Sequence, residues 1–255
     1  MMFATFNVQK IKTVQELNNR YRHNARKCLK SNEDIDEEKI HLNASNDVNA
    51  YSVVSGRIKE INEIRKSKGA RSLRSDTVPA VEVSLGASGE FWEDASEDEK
   101  LEWLDTNLTW LNDYYKGAGK VVRWDYHLDE TNPHIHAIII PETIDPKGLP
   151  TLSAKKLVGN AQDMERARTS HASANNVFGL DRGIKWSDRP SERTPSLPLK
   201  ELKQQTIEKL KDNDLLDDEI QDKLKDLETL ETLTGSGNKD LPKNRKNTKN
   251  VIIRV

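Results

Sequence analysis

With 255 residues, 35% hydrophobic and 32% charged, the chain is long enough for one substantial domain plus an appendage, with an economical core under a heavily solvated surface. No run approaches the roughly 20 apolar residues of a membrane helix, and a net charge of −2 excludes a basic coat over the whole molecule. The lone Cys28 excludes an internal disulfide, fits a reducing cytoplasm and is expected to be a half-buried structural thiol. In chain order, Met1–Phe6 shows no basic segment leading into an apolar stretch, so no signal peptide is read and a cytoplasmic location is expected. Residues 2–8 alternate weakly and predict a short strand. Thr13–Lys30 has few breakers and predicts a helix; Val48–Lys68 repeats Val54, Ile58, Ile61 and Ile64 at amphipathic helical spacing. Val78–Leu85 predicts a strand with Val81, Val83 and Leu85 on one side. Ser96, followed by Glu97, Asp98 and Glu99, is a helix start whose acids complement the N-terminal dipole. That helix runs through Leu101, Leu104, Leu108 and Leu111 to the stop at Gly117–Gly119, with Trp103 and Trp110 in the core.

Lys120–Leu128 and His134–Pro141 predict two strands joined by Asp129–Pro133, a five-residue link that favours an antiparallel hairpin. Ser153 is placed to cap a helix over Ala154–Phe178, closed by Gly179–Gly183. Residues 1–190 therefore predict an α+β domain, a central antiparallel sheet with flanking helices. Pro190, Pro195 and Pro198 mark a linker over 191–198, and 199–234 predicts a short helical extension interrupted at Asn213-Asp214. Residues 200–233 hold 6 Lys against 11 Asp and Glu, whereas 239–255 hold 6 Lys and Arg against 1 Asp, so 235–255 reads as a basic, disordered tail. Leucines at helical spacing in the extension would suit a weak homodimer. Arg20, Arg22, Arg26, Lys27 and Lys30 cluster, as do Arg65, Lys66, Lys68, Arg71 and Arg74. These clusters suit one anion-binding face, or simply solvated helix surfaces.

The string from His127 to His136 carries the chemistry. On a strand, residues i and i+2 share a face, so His134 and His136 project together while Ile135 points away. The hairpin brings His127 alongside them. Three imidazoles converging from two paired strands make half of a metal shell, with positions left open for water or substrate. One histidine would read as an ordinary half-buried side chain; three of the chain's six within ten residues, in this register, do not. A structural zinc site would want a fourth strong ligand, and no cysteine lies near. Glu130 would either complete the shell or hold an imidazole N–H from behind, with the second role favoured and Asp129 the weaker carboxylate.

His127-Leu128-Asp129-Glu130 followed by Pro133-His134-Ile135-His136 resembles the signature of the Mob/Pre (MobV-type) relaxases, plasmid mobilisation and recombination proteins of the HUH endonuclease superfamily. His23-Asn24-Ala25-Arg26 is similar to the family's His-x-x-Arg motif. His41-Leu42-Asn43 resembles its next block, which often continues with tyrosine where this chain has Ala44. Leu152–Lys155 and Gly179–Gly183 fall where the family has similar strings, so the likeness spans roughly residues 1–190.

The resemblance implies metal-dependent, strand-specific nicking of single-stranded or locally unpaired plasmid DNA at an origin of transfer, with the 5′ phosphate left covalently on the protein. Manganese or magnesium is the implied ion, although three imidazoles alone would also accept zinc, nickel or cobalt. No tyrosine follows Tyr126, which excludes the arrangement in which a tyrosine nucleophile follows the metal motif. The candidates are then Tyr21 and, by motif match, His23. His23 is preferred because neutral imidazole is populated at pH 7, whereas a tyrosine must lose a proton of pKa about 10. Arg26, expected one helical turn on, would clamp the phosphate, with Arg22 and Arg74 as further DNA contacts. The competing readings are an origin-binding protein or repressor without turnover, and a zinc-stabilised interaction protein. A metal-independent footprint without a nick, or chelator-induced unfolding without DNA binding, would single these out.

Overall fold

The computed structural model describes residues 2–28 and 34–183. The expected linker, helical extension, basic tail and any self-association through them lie outside the described residues. The first strand, β1 (Ala4–Ile11), leads into α1 (Val14–Asn24), whose cap Thr13 accepts the Glu16 N–H. A 3-10 turn (Glu37–Leu42) precedes the two-residue strand β2 (Ala44–Ser45), then α2 (Ala50–Ser67) and β3 (Ala80–Ala87). A short α3 (Gly89–Asp94) precedes α4 (Glu97–Tyr114), and β4 (Lys120–His127) and β5 (His134–Ile140) form the expected hairpin. The small hairpin β6 (Glu142–Ile144) and β7 (Pro150–Leu152) is followed by α5 (Ala154–Val158) and α6 (Ala161–Asn175).

The main sheet runs β1-β3-β5-β4-β2, antiparallel throughout, so the predicted α+β class holds. Both its faces are covered. Val81, Val83, Leu85, Tyr126, Ile135 and Ile139 pack with Trp103, Trp110 and Leu111 of α4. Ile11, Ala80, Ile138 and Ile140 pack on the other side with Leu17 and Tyr21 of α1 and Val54 and Ile61 of α2. Burying each large apolar side chain in such layers contributes about 1.5–3 kcal/mol before entropy is counted. The β4–β5 register slips between Val121 and Arg123. This bulge leaves Val121 opposite Ile139 but re-aims Arg123, Asp125 and His127 to the α1–α2 face.

Two expected helices are shorter than the sequence suggests. The first stops at Asn24 because Arg26 takes a left-handed backbone (φ 52), so Arg26 is not one turn farther along a helix. The reason lies across the molecule, where its guanidinium forks onto Asp129. The span Ala154–Phe178 splits in two. Gly159 (φ 71) has no room for a Cβ, which would lie 2.3 Å from the Asp163 carboxylate, and Asn160 starts α6 with a reciprocal cap to Asp163. Ser96 builds the same kind of box with Glu99, and Trp103 and Trp110 are buried as expected. Cys28 is exposed rather than half-buried, since it follows the end of α1 in irregular chain.

Candidate active site

The register sets His127 directly opposite His134, with His136 two residues on and opposite Asp125. Ile135 enters the α4 side of the core, so the two-residue alternation places all three imidazoles on the α1–α2 face. Their ring centroids are 4.7, 5.1 and 5.2 Å apart, and the candidate ligand nitrogens lie within 4.8 Å of one another. Each ring is steered from behind. His127 Nε2 donates to the Asn24 carbonyl at 2.9 Å, and His134 Nδ1 donates to the Asn132 carbonyl at 2.8 Å. His136 Nδ1 lies 3.2 Å from both the Glu82 carboxylate and Ser84 Oγ.

With those tautomers, His127 Nδ1, His134 Nε2 and His136 Nε2 all turn lone pairs inward. His127 Nδ1 is buried without a hydrogen-bond partner. His134 Nε2 and His136 Nε2 stand 3.0 Å apart, close to the roughly 3.3 Å expected of two nitrogens on one ion at about 2.0–2.1 Å. Two acceptors that close repel unless a cation lies between them, so the donor set fits a divalent metal. Burial, reinforced by His136 and His134, holds the His127 pKa far below the ordinary imidazole value. Burial and His136 also lower His134, to about 4, against the raising effect of Glu130. Both rings are thus neutral at pH 7, as ligands must be.

Glu130 Oε1 is 3.6 Å from His127 Nδ1 and 4.0 Å from His134 Nε2, and accepts from Arg26 Nη2 at 2.6 Å. His127, Asp129 and Glu130 make a second grouping that could hold an ion. Arg26 joins its two carboxylates: Nε and Nη2 fork onto Asp129 at 2.7 and 2.6 Å, and the side chain is only 5% exposed. The expected helical placement of Arg26 is therefore corrected. Arg26 spends these donors on the β4–β5 turn, because a buried guanidinium needs charged partners. Asn43 steadies the same turn, accepting the Leu128 N–H at 2.7 Å.

His23 sits on the last turn of α1, half-buried. Burial lowers its pKa first, then the nearby His136 and Arg26, while Glu130 and Glu82 act in the opposite sense. These neighbours bring His23 to the triad. Tyr21 is buried in the core beneath α1, its hydroxyl accepting from Lys27 Nζ at 2.6 Å. Arg22 is exposed on the same helix. Arg74 lies on the 68–79 connection, exposed and paired with Asp76 at 2.8 Å. Sequence reasoning missed Glu82. It is wholly buried, facing His136, Arg20 Nη1 at 2.5 Å and Asn24 Nδ2 at 2.8 Å. Burial alone would raise its pKa, but His136 and then Arg20 and Asn24 outweigh it and bring it to about 2. The available signal was a carboxylate within the apolar run Ala80–Leu85.

What the fold and the site define is an α+β protein with a cation-competent corner of three imidazoles on one face of an antiparallel sheet. The chain belongs to the Mob_Pre family, described as plasmid recombination enzyme, whose family model matches residues 1–197. It is 29% identical over 239 residues to a plasmid recombination enzyme of Bacillus sp., covering 90% of this chain and 52% of that protein. It is 30% identical over 206 residues to another from Lactiplantibacillus plantarum, covering 76% and 53%. The chain thus spans about half the length of these curated relatives. Among solved structures it resembles the manganese-bound MobM relaxase domain in complex with origin-of-transfer DNA of plasmid pMV158. Two such structures match with TM-scores of 0.59 and 0.60 at 25% identity, over 75–76% of this chain and 95–96% of theirs. Among the described residues no helix is long and apolar enough to cross a membrane.

Proposed function

We propose that the chain is a mobilisation relaxase that nicks one strand of plasmid DNA at an origin of transfer by metal-dependent transesterification. The observation that carries this reading is the convergence of three inward-facing imidazole nitrogens beneath the helix end that bears His23. His127, His134 and His136 would hold one divalent ion, manganese or magnesium, with Glu130 beside it. Such an ion would supply charge neutralisation and orientation for a phosphodiester.

His23 is the proposed nucleophile. Its lowered pKa keeps the imidazole in its neutral, nucleophilic form at neutral pH, whereas Tyr21 is buried with its hydroxyl engaged by Lys27. An imidazole nitrogen of His23 attacks phosphorus, the P–N bond forms as the P–O3′ bond breaks, and the departing 3′ oxygen takes up a proton to become a 3′-OH. Arg26 acts here by fixing Asp129 and Glu130 and so the position of the turn between the two ligand strands. Arg22 is a proposed DNA contact, and Arg74 a weaker one. An unpaired strand is the proposed substrate form, since in-line attack needs an accessible phosphate.

Incubation with Mn²⁺ and a supercoiled plasmid carrying the cognate origin should yield open circles with protein bound to the 5′ end. His23→Ala and His23→Tyr should abolish the product, Tyr21→Phe should retain it, and mass spectrometry of the linked peptide should locate His23. No relaxation with any divalent ion on a verified origin would overturn the reading.

A further inference from the structure

Beside the triad, between the end of α1 and the short edge strand β2, lies a recess of about 200 Å³ lined by Tyr21, Lys27, Asn43, Ser45, Asp47 and Asp125, with His127 in its wall. We infer that this recess seats one nucleobase of the bound strand, next to the attacked phosphate; the inference rests on the DNA-processing reading above. The volume is far more than the roughly 10–15 Å³ that one water needs and below the roughly 300–1,000 Å³ of drug-sized ligand sites. It is the size for one flat ring system.

The chemistry of the walls favours a base over a phosphate. A phosphate site needs several uncommitted cationic donors, and here every guanidinium nitrogen but Arg26 Nη1 is spent. Arg123 directs Nε and Nη2 to Asp125 and Nη1 to the Val48 carbonyl at 2.6 Å. Arg26 directs Nε and Nη2 to Asp129 and Glu130. What remains is a floor whose buried arginines are paired with carboxylates, with directional groups between them. Asn24 Oδ1, an acceptor, and Arg26 Nη1, a donor, are buried without partners, and both side chains line the recess. Ser45 and Asp47 are linked at 3.1 Å on the outer wall, where Asp47 takes a left-handed backbone (φ 53). The Arg123 guanidinium lies 5.1 Å from the centre of the Tyr21 ring, so the floor also offers planar surface. Mixed donors and acceptors around a flat slot read the edge of an unstacked base, as single-strand binders do. Lys27, exposed at the mouth, is placed to meet the backbone that carries the base.

The shared wall at His127 sets the distance, because a base held there leaves its own phosphate beside the metal-competent corner. The recess would then fix which linkage is attacked, by reading one nucleotide and presenting its neighbour.

The test is a binding selection with the full chain on random-sequence single-stranded DNA without added metal, followed by sequencing of the retained strands. Wild type should enforce one base at one position. An abasic nucleotide there should weaken binding by about 5- to 150-fold, the range for loss of one stacked or hydrogen-bonded base. Ser45→Phe, which fills the recess from β2, should erase that one preference and keep the others. Asp47→Asn, which tolerates the left-handed backbone, should change the preferred base. Unchanged profiles in both variants, or tolerance of an abasic nucleotide at every position, would overturn the inference, as would failure to retain single strands. Because the readout is binding without metal, base selection in a chain that never nicks would sink the proposed chemistry and leave the recess standing.

Discussion

The two faces of the same sheet bury histidine in opposite ways. On the α4–α6 side, His171 is fully buried with Nε2 donating to Asn107 Oδ1 at 2.7 Å and its ring against Trp110 and Phe6. Burial holds its pKa down to about 3, and the surrounding amide and aromatic groups give it a single structural task. On the α1–α2 side, three imidazoles share one corner, each held from behind by a carbonyl or a carboxylate, with their free nitrogens meeting. Burial alone therefore does not mark a functional histidine. Convergence of lone pairs, with carboxylates behind and beside them, does.

The largest effect should separate the faces outright. His127→Ala or His134→Ala should reduce Mn²⁺ affinity by more than about 100-fold in titration calorimetry, beyond what loss of an outer partner costs. His171→Ala should leave Mn²⁺ affinity unchanged while lowering unfolding free energy by about 2–4 kcal/mol. Equal metal affinities in all three variants would break the comparison. Next in size, Glu82→Gln should cost about 10- to 100-fold in Mn²⁺ affinity by weakening the acceptor behind His136. Wild-type affinity in that variant would mean that Ser84 orients the ring by itself.

A smaller effect lies in the acid limb of stability. The folded pKa of His171, about 3, is below the ordinary 6.5. Between those values the unfolded chain holds a proton that the folded chain refuses. This contribution leaves stability intact above about pH 6.5 and removes it as pH falls, by at most about 1.4 kcal/mol per pH unit. Denaturant titrations of metal-free wild type and His171→Asn should show a shallower decline in the variant, and parallel declines would refute the assignment. The smallest effect belongs to a site that touches neither face's histidines. Ser96→Ala should cost about 1 kcal/mol through the lost cap of α4 and leave Mn²⁺ binding alone.

Much of this was legible because local rules suffice for it. Period-two alternation put His134 and His136 on one side and Ile135 on the other, and a five-residue link paired His127 with them. The cap at Ser96 and the apolar side of Val81, Val83 and Leu85 follow from equally short patterns. Contacts of long sequence separation were not legible. Arg26 reaches Asp129 across 103 positions, which ended the first helix early and tied Arg26 to the turn between the histidine strands. Glu82 was passed over because the polar side of a strand reads as solvated until a second layer covers it, and α1 covers it here.

By itself, then, the sequence determined the two strands of the histidine hairpin, the phase of their histidines and the helix that carries His23, since each depends on neighbours a few residues apart. Only the tertiary structure decided the rest. The bulge near Val122 turned Arg123 and Asp125 to the α1–α2 face, the Asn24 carbonyl chose the tautomer of His127, and α1 came to rest over the corner. Those outcomes depend on which surfaces meet, and buried polar groups must find their partners wherever the packed layers bring them.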